Sequence, residues 1–438
     1  MSETDTSYVL SDDCSYRREA FGASIFRRSD HSLRFFDHAA AVCMEALFEP
    51  KRLDDAINAV AAHFRDRRSL EAFIKDAVAS QIFIPGHDPH PTTRQFYTDR
   101  TDFHRSHLVA PLAIEFELTL RCRRLCTYCA YESHPGVSSA GELGWTQYKA
   151  AFQAARDAGV FYLRFTGGDP LLREDALEII TLASEMGFSV AVASDLSLIT
   201  DTQIEGLAAL PNLTFLQTTL DGPDPETADM QRGHGNFRCV ISGIRRLRQS
   251  GVPVMVGTVL TTVNRSRIYE TALALQAFDV SYCVSPLYSA GRGRVLENLI
   301  PSDADLSEAY EQFARAVSDG LVRPADPGWR AIAEGSSPAA RETLWQSQPW
   351  LIRSPDRILR VTPHGQAYAG IQAKEMLGEE VHVGNVLESS IDEIWNKSRT
   401  LNSLRSQSSE HKYYGNVLIT KSRKGAGHER NQEQISKA

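Results

Sequence analysis

Three cysteines stand close together in this sequence, in the segment Cys122-Arg-Arg-Leu-Cys126-Thr-Tyr128-Cys129. Cysteine thiolates are soft ligands that suit iron-sulfur clusters or zinc, and a tight loop can bring three of them to one metal centre. A structural zinc site is closed by four ligands, whereas a site with three protein ligands leaves a position open for chemistry. The spacing therefore predicts a metal centre with an open position. Three unconnected thiols, or a zinc site completed by a distant histidine such as His134, are the alternatives.

The composition is that of an ordinary soluble globular protein of several domains. The chain has 438 residues, of which 42% are hydrophobic and 23% charged, and its formal net charge is −8. These values exclude a collagenous, coiled-coil or wholly disordered chain, and a mildly acidic chain lacks the basic excess that drives nucleic-acid binding. It has neither an apolar run of about 18 residues nor a basic, apolar signal segment at its start. We therefore predict no membrane span and a cytoplasmic, reducing location, where clustered cysteines bind metal or do chemistry.

The elements that must position the cysteines alternate between strands and helices from Ala113 to Leu296. Such repeated units predict an α/β fold with a parallel sheet, and six of them suffice for most of a (β/α)6 barrel whose ligands lie at the carboxyl ends of the strands. The cysteine segment directly follows the first strand. The six apolar runs begin at Ala113, Phe161, Val190, Leu213, Val254 and Val280, and helix patterns include 145–158, 175–186 and 237–250.

Two smaller regions flank these repeats. Residues 1–91 predict a small α+β domain with short strands at 8–10, 23–28 and 33–36, followed by three helices. Asp37 is expected to cap the first of these helices, at 39–48, and Ser69 the third. A linker at 92–112 follows.

Residues 297–403 predict a second small α+β domain with a helix at 306–317, strands at 358–361 and 366–369, and a final helix capped by Ser390. A polar, disordered tail is predicted at 404–438, apart from a short strand at 417–419.

The cysteine segment resembles the signature of the radical S-adenosylmethionine (SAM) enzymes, which has this spacing and an aromatic residue before the last cysteine. The resemblance implies that Cys122, Cys126 and Cys129 hold three irons of one four-iron, four-sulfur (4Fe-4S) cluster, whose fourth iron binds SAM. In that family an electron from the cluster splits SAM into methionine and a 5′-deoxyadenosyl radical, which abstracts a hydrogen atom from the substrate.

Motifs at three further strand ends extend the resemblance to the SAM-binding residues of the family. The Gly-Gly-Asp-Pro at 167–170 is similar to the family's Gly-Gly-Glu-Pro, which contacts the methionine amino group, and Ala193-Ser194-Asp195 is similar to its Thr-Asn-Gly. Thr219 and Arg232 lie in segments like those that bind the ribose and carboxylate of SAM in the peptide-modifying branch. The resemblance thus implies that SAM is bound by Tyr128, Gly167, Gly168, Asp169, Pro170, Ser194, Asp195, Thr219 and Arg232.

Residues 1–91 resemble the winged-helix domain of the PqqD family, which recognises leader peptides of ribosomally made, post-translationally modified peptides (RiPPs). Arg18-Glu19-Ala-Phe-Gly22, the following hairpin and the helix near 69–83 carry this resemblance. An exposed edge strand beside a helix can accept an extended peptide as an added strand. This segment has 11 basic and 15 acidic residues, which gives −4 and opposes DNA binding. The resemblance implies a precursor peptide as partner; the alternative is a domain that only stabilises the chain.

The carboxyl-terminal region resembles the SPASM or twitch domain of radical SAM peptide maturases. Its matching segments are 360–368, 384–386 and 390–396, but the cysteines that normally bind auxiliary clusters there are missing, and Ala369 or Gly370 stands where one is expected. We therefore predict one cluster only. An external one-electron donor such as flavodoxin or ferredoxin would reduce it.

A missing auxiliary cluster constrains the reaction. Forming a cross-link or a double bond removes two electrons from the substrate, whereas the deoxyadenosyl radical takes only one. Either the first cluster accepts the second electron, or the product is redox-neutral, as in an epimerisation completed by a thiol. Cys283, at the end of the sixth strand, is the candidate thiol; a lone cysteine in a strand is otherwise a packing residue.

The sequence therefore predicts a radical SAM peptide maturase that produces a cross-link, an epimer or a cleaved backbone. Two rival hypotheses are a radical SAM enzyme for a small-molecule substrate and a non-catalytic peptide-binding scaffold.

Overall fold

The computed structural model describes residues 6–29, 32–64, 66–86, 95–96, 108–287, 289–325, 329–330, 333–335, 357–370, 374 and 378–410. They fall into two compact units. Unit 1 comprises Met1–Ala110 with Asp157–Phe161, and unit 2 comprises Pro111–Arg156 with Tyr162–Ala438.

In its described residues, unit 1 is an α+β structure with one mixed sheet, one antiparallel sheet and three α-helices. One sheet has the strand order β4-β3-β2-β7, in which the two-residue strand β7 pairs parallel to β2, and the other has the order β5-β1-β6. Apolar residues from both sheets and the helices form one core. The strands are β1 Ser7–Leu10, β2 Cys14–Glu19, β3 Gly22–Arg27, β4 Leu33–Asp37, β5 Lys51–Arg52, β6 Phe83–Pro85 and β7 Gln95–Phe96; the helices are α1 His38–Ala46, α2 Leu53–Val60 and α3 Arg67–Ala79.

The caps and strands of unit 1 agree with most of the sequence predictions. Asp37 does cap α1, because its side chain accepts a hydrogen bond from the backbone amide of Ala40. The prediction for α3 is wrong: the cap is Asp66, and its carboxylate accepts the amide hydrogen of Ser69. Strand β2 was not predicted, because Arg17 and Glu19 give it a polar pattern; both are fully buried and pair at 2.6 Å.

Unit 2 contains the alternating strands and helices that the sequence predicts. Its strands are β8 Ala113–Thr119, β9 Tyr162–Gly167, β10 Ser189–Ala193, β11 Leu213–Thr219, β12 Val254–Leu260, β13 Ser281–Pro286, β14 Arg323–Pro324, β15 Ile358–Val361, β16 Gln366–Ala369 and β17 His382–Asn385. Its helices are α4 Trp145–Asp157, α5 Ala176–Glu185, α6 Asp201–Ala208, α7 Pro225–Arg232, α8 Asn236–Gln249, α9 Ile268–Leu275, α10 Asp303–Ser318, α11 Ile391–Lys397 and α12 Arg399–Glu410.

The strands of unit 2 form one sheet with the order β14-β13-β12-β11-β10-β9-β8-β15-β16-β17. Strands β8 to β13 are parallel neighbours in chain order, which confirms the predicted α/β class with a parallel sheet. Their carboxyl ends therefore share one edge of the sheet. The strands predicted at 358–361 and 366–369 are confirmed, and β15 continues this sheet as the parallel neighbour of β8.

The two faces of this sheet differ in polarity because side chains alternate along each strand. On one face Phe116 of β8 packs against Phe152 of α4 and Phe165 of β9, with ring centroids 5.3 and 6.5 Å away. On the other, Glu115 of β8 pairs with Arg164 of β9. We call this second side, which turns away from α4, the polar face.

The end of the chain extends the last predicted domain. Ser390 caps α11 as predicted, in a reciprocal pair with Glu393. Helix α12 runs to Glu410, past the predicted start of the tail at 404. The strand predicted at 417–419 lies outside the described residues. No helix in the described part of the chain is long and apolar enough to cross a membrane.

Candidate functional site

The three cysteines lie in the loop between β8 and α4, at the carboxyl edge of the parallel sheet. We call residues 120–134 the cysteine loop. Cys122 and Cys126 are each 8% exposed, and Cys129 is half-buried. The Cys129 amide donates to the carbonyl of Cys126 at 3.3 Å, which closes a turn between the last two cysteines. The sequence thus brings the thiols to one loop at the strand ends, as predicted.

The surroundings of the thiols affect how readily they ionise to thiolates, the form that binds metal. Burial raises the pKa of the Cys122 and Cys126 thiols, and the positive charge of Arg232 opposes that rise at Cys126. The Arg124 amide also donates to Cys122 Sγ at 3.4 Å. Among the described residues no three His, Cys, Asp or Glu side chains are grouped to hold a single metal ion. In a 4Fe-4S cluster each cysteine binds a different iron, so these thiols fit that cluster without meeting at one point.

The cysteine loop is held on one side by the turn that follows β13. Arg292 donates from Nε to the carbonyl of Cys126 at 2.9 Å and from Nη2 to that of Ser133 at 3.0 Å. Its backbone amide donates to the carbonyl of Cys129 at 3.1 Å. Gly291 lies so close that a Cβ there would stand 2.2 Å from the carbonyl oxygen of Ala130. The loop is therefore fixed by a residue far along the chain.

A buried polar triad holds the other side of the loop. Tyr128 donates its hydroxyl hydrogen to Asp221, which follows β11, and Arg232 of α7 donates to the Tyr128 oxygen at 2.9 Å. Arg232 also lies 3.6 Å from Asp221 Oδ2. Burial raises the pKa of Asp221 and of Tyr128, whereas the pKa of Arg232 rises because the charges of Cys126, Tyr128 and Asp221 outweigh its burial. The structure thus joins the predicted residues Tyr128 and Arg232 both directly and through the carboxyl group of Asp221.

Gly167 and Gly168 allow β9 to end against the backbone of the cysteine loop. A Cβ on Gly167, which has a φ of +120°, would lie 2.1 Å from the Thr119 carbonyl oxygen, and one on Gly168 would lie 2.1 Å from that of Arg121. Both positions therefore require glycine. The following Pro170 begins a short 3-10 helix, Pro170–Leu172.

Asp169 lies with Ser194 and Asp195, the predicted residues after β10. Ser194 Oγ donates to Asp169 Oδ2 at 2.9 Å, and the Asp195 amide donates to the same oxygen at 3.4 Å. Burial, followed by the charge of Asp195, raises the pKa of Asp169 to about 8. Asp195 in turn accepts a hydrogen bond from the Cys122 thiol at 3.6 Å. The second and third predicted motifs therefore adjoin the first cysteine.

Thr219 and Cys283 stand apart from these contacts. Thr219 ends β11 opposite Gly257 of β12, and no hydrogen bond joins its side chain to the other predicted residues within the described part of the chain. Cys283 lies on β13 and is 6% exposed. The structure therefore groups eight of the nine predicted SAM-binding residues near the cysteines, and it leaves Thr219 on β11 and Cys283 on β13.

A polar row crosses the polar face from the cysteine loop towards Cys283. Tyr131 of the loop donates to Glu115 at 3.2 Å; Arg164 pairs with Glu115 at 3.2 Å and donates to Gln217 of β11 at 2.6 Å. A Cβ on Gly257 would lie 3.7 Å from both Gln217 Nε2 and Cys283 Sγ. Cys283 thus lies on the same side of the sheet as this row.

Sequence reasoning missed the residues that support the site. Asp221 follows the fourth predicted strand and Arg292 the sixth, but nothing local shows that they contact the cysteine loop. Charged residues inside otherwise apolar strands, such as Glu115 and Arg164, were the available signal for the polar row. A charge in a buried strand needs a partner, and the nearest one stands on the adjacent strand.

Replacing Asp169 should change how stability depends on pH. Because the folded protein holds the Asp169 proton up to a pKa of about 8, the stability that this proton confers declines as pH rises from about 4 to 8. We expect the thermal midpoint of the SAM-free, iron-free wild type to fall relative to that of Asp169→Asn across this window. Thermal unfolding at a series of pH values checks this, with Asp201→Asn as control, because the Asp201 side chain at the start of α6 is exposed. A constant difference between wild type and Asp169→Asn would contradict it.

Replacing Arg292 should loosen the cluster ligands. Arg292→Gln removes the side-chain donors to the Cys126 and Ser133 carbonyls, so we expect iron to be lost several-fold faster to a chelator from the reconstituted protein. Arg292→Lys, which keeps one donor and the charge, should fall between wild type and Arg292→Gln. Arg294→Gln, two residues along the chain, is the matched control. Equal rates of iron loss in Arg292→Gln and wild type would show that the contact does not hold the loop.

Comparison with known proteins agrees with this geometry. Residues 116–275 match the model of the Radical SAM superfamily. The AdoMet-dependent heme synthase of Methanosarcina barkeri is 33% identical over 196 residues, which is 44% of this chain and 56% of that protein. The chain thus spans little more than half the length of that relative. The PqqA peptide cyclase of Gluconobacter oxydans is 27% identical over 303 residues, 67% of this chain and 79% of that protein.

The fold is also that of a solved structure, Streptococcus suis SuiB bound to precursor peptide SuiA. The two superpose with a TM-score of 0.65 over 91% of this chain and 90% of that chain, at 14% sequence identity. Residues 116–275 thus match the Radical SAM superfamily, and this match supports S-adenosylmethionine and a 4Fe-4S cluster as cofactors.

Proposed function

We propose that this protein is a radical SAM enzyme that modifies a residue of a ribosomally made precursor peptide. The observation that carries the proposal is the cysteine loop, whose three thiols are held by Arg292 and by the Tyr128–Asp221–Arg232 triad. A relative named for a peptide cyclase and a structural neighbour bound to its precursor peptide support a peptide as the substrate.

In this proposal Cys122, Cys126 and Cys129 bind the cluster. Cluster and SAM together supply a 5′-deoxyadenosyl radical, which abstracts a hydrogen atom from the peptide. The residues proposed to contact SAM are Tyr128, Gly167, Gly168, Asp169, Pro170, Ser194, Asp195, Thr219 and Arg232.

Two side chains are suited to the charged ends of the methionine part of SAM. Asp169 offers a buried carboxyl group to the amino group, and pairing with a cation would favour its ionised form and lower its raised pKa. Arg232 has a buried Nε with no hydrogen-bond partner among the described residues, so it can donate to a carboxylate without leaving Asp221. Asp169 can thus accept a hydrogen bond from the amino group of SAM, and Arg232 can donate one to its carboxylate.

We assign leader recognition to unit 1, as a domain like those of the PqqD family over residues 1–91. Strand β4 stands at the end of its sheet, and Arg34 and Phe35 on it are exposed. Phe36 packs against Phe73 of α3, with ring centroids 6.1 Å apart, so a helix lies against the face of this strand. An extended peptide can add to such an edge through backbone hydrogen bonds.

The remaining domains follow the sequence predictions. We propose residues 92–112 as a linker, 113–296 as the partial barrel, 297–410 as a twitch-like domain without clusters, and 411–438 as a tail. The chain has no cysteine after Cys283, which supports a single cluster.

Cys283 is our candidate for a thiol that completes a redox-neutral reaction. Its place beyond Gln217, at the end of the polar row, puts it on the polar face with Tyr131 of the cysteine loop. The thiol would give a hydrogen atom to the opposite face of the peptide radical, which yields an epimer. The resulting thiyl radical would take up one electron and one proton from the external reductant before the next turnover.

A small-molecule substrate is the second candidate, because one relative is named for heme synthesis. The two candidates differ in what they require of unit 1. A peptide substrate needs the β4 edge, whereas a small molecule does not.

The first test measures 5′-deoxyadenosine release by reduced, reconstituted protein with a short peptide encoded beside its gene. We expect release by the wild type and none by Cys126→Ala. The double variant Arg34→Glu, Phe35→Glu should bind the peptide at least tenfold more weakly, while Asn58→Glu, on the exposed side of α2, should bind normally. If 5′-deoxyadenosine is released at the same rate with and without the peptide, and the double variant binds the peptide as the wild type does, the small-molecule candidate is favoured. If no 5′-deoxyadenosine is released although the peptide binds, a scaffold is favoured.

The second test concerns Cys283 and uses deuterated water. A thiol exchanges its hydrogen with solvent, so an epimerised residue should carry deuterium at its α-carbon. Cys283→Ser should still release 5′-deoxyadenosine but yield no labelled epimer, because a hydroxyl gives up a hydrogen atom far less readily. Cys239→Ser on α8 is the control. A labelled epimer from Cys283→Ser at the wild-type rate would remove Cys283 from the mechanism.

A further inference from the structure

Three exposed apolar side chains lie on segments that contact the cysteine loop or belong to it. Across the described residues, the most exposed large apolar side chains are Val295 at 83%, Leu125 at 65% and Met230 at 60%. Leu125 belongs to the cysteine loop, Met230 to α7, and Val295 to the turn after β13. Single exposed apolar residues are normal on a protein surface, but a concentration of them in one place marks an interaction site.

Hydrogen bonds bring these three segments together. Arg292, three residues before Val295, donates to the carbonyl of Cys126, the residue after Leu125, at 2.9 Å. Gln231, the residue after Met230, accepts the backbone amide hydrogen of Thr127 at 3.0 Å. Each apolar residue is therefore within three positions of a direct contact between its segment and the middle of the cysteine loop.

The same region carries positive charge on an acidic chain. Residues 121–133, 225–232 and 291–295 contain six arginines and three acidic residues, which gives +3, while the whole chain has a net charge of −8. Arg124 and Arg292 make contacts within the site, whereas Arg123 and Arg294 are exposed to solvent. An exposed apolar centre with a basic rim complements a partner that has an acidic surface.

The need of the cluster for an electron indicates which kind of partner would bind this surface. A cluster held by the cysteine loop must gain one electron from outside the chain, and the donor loses that electron. A protein donor has to approach the loop closely. We propose that Leu125, Met230 and Val295, with Arg123 and Arg294 around them, form the docking face for an acidic one-electron carrier of the flavodoxin class. The inference rests on the proposed radical SAM function, because only a redox cluster needs such a donor.

The experiment follows cluster reduction in the reconstituted full-length protein by stopped-flow absorbance. Flavodoxin hydroquinone is one reductant and dithionite, which is too small to need a docking face, is the other. We expect the double variant Met230→Glu, Val295→Glu, and separately Arg294→Glu, to lower the second-order rate constant with flavodoxin at least tenfold. Rates with dithionite should stay unchanged. Leu273→Glu on α9, where an apolar side chain of 44% exposure is replaced, is the matched control.

Salt provides a second readout that does not depend on variant folding. For the wild type the rate with flavodoxin should fall as ionic strength rises, and Arg294→Glu should weaken that dependence. Unchanged flavodoxin rates in both variants would overturn the proposal. Equal losses with flavodoxin and dithionite would also overturn it, since the residues would then support the cluster instead of a partner. Neither SAM nor peptide is present, so the outcome is separate from that of the substrate tests.

Discussion

The carboxyl group of Asp221 has to be satisfied in a place that water does not reach, and much of the site is arranged around that need. Its Oδ1 accepts the amide hydrogen of Val259 at 2.8 Å, and Tyr128 donates to its other oxygen beside Arg232. Its backbone carbonyl accepts a hydrogen bond from Asn264 at 3.0 Å. A buried polar group without partners costs about 1–3 kcal/mol. One residue thus ties the cysteine loop to α7 and to the end of β12.

The same rule of paired charges explains how the last strands join the sheet. Arg360 of β15 is 2% exposed and donates from Nε to Glu117 of β8 at 2.6 Å. The guanidinium also lies over the ring of Tyr131, 4.8 Å from its centroid. Removing one member of such a buried pair typically costs about 3–5 kcal/mol, because the other charge is left unpaired. The region after β13 therefore joins β8 through an ion pair and contacts the cysteine loop through the ring of Tyr131.

The sequence allowed the strands and the three thiols to be predicted because both depend on local pattern. The run Val254–Leu260 is apolar apart from Gly257 and Thr258, and its bounds match those of β12. Strand β2 could not be predicted in the same way, because the burial of Arg17 depends on a partner rather than on its own character. The same holds for Arg292, because the carbonyl to which it donates, that of Cys126, is 166 residues away along the chain. Long-range pairing is the part of the site that local patterns do not contain.

The distance in sequence between the cysteine loop and the residues that hold it has a consequence for how the protein acquires its iron. When Cys122, Cys126 and Cys129 leave the ribosome, neither Asp221 nor Arg292 has been synthesised, so the loop lacks both supports. Contacts between residues distant in sequence form late, since the intervening chain must fold first. The nascent thiols therefore pass through a period in which they are more exposed than in the finished protein. We therefore expect the cluster to be inserted after the turn that follows β13 has been synthesised. Until then the thiols of the loop have to be kept reduced.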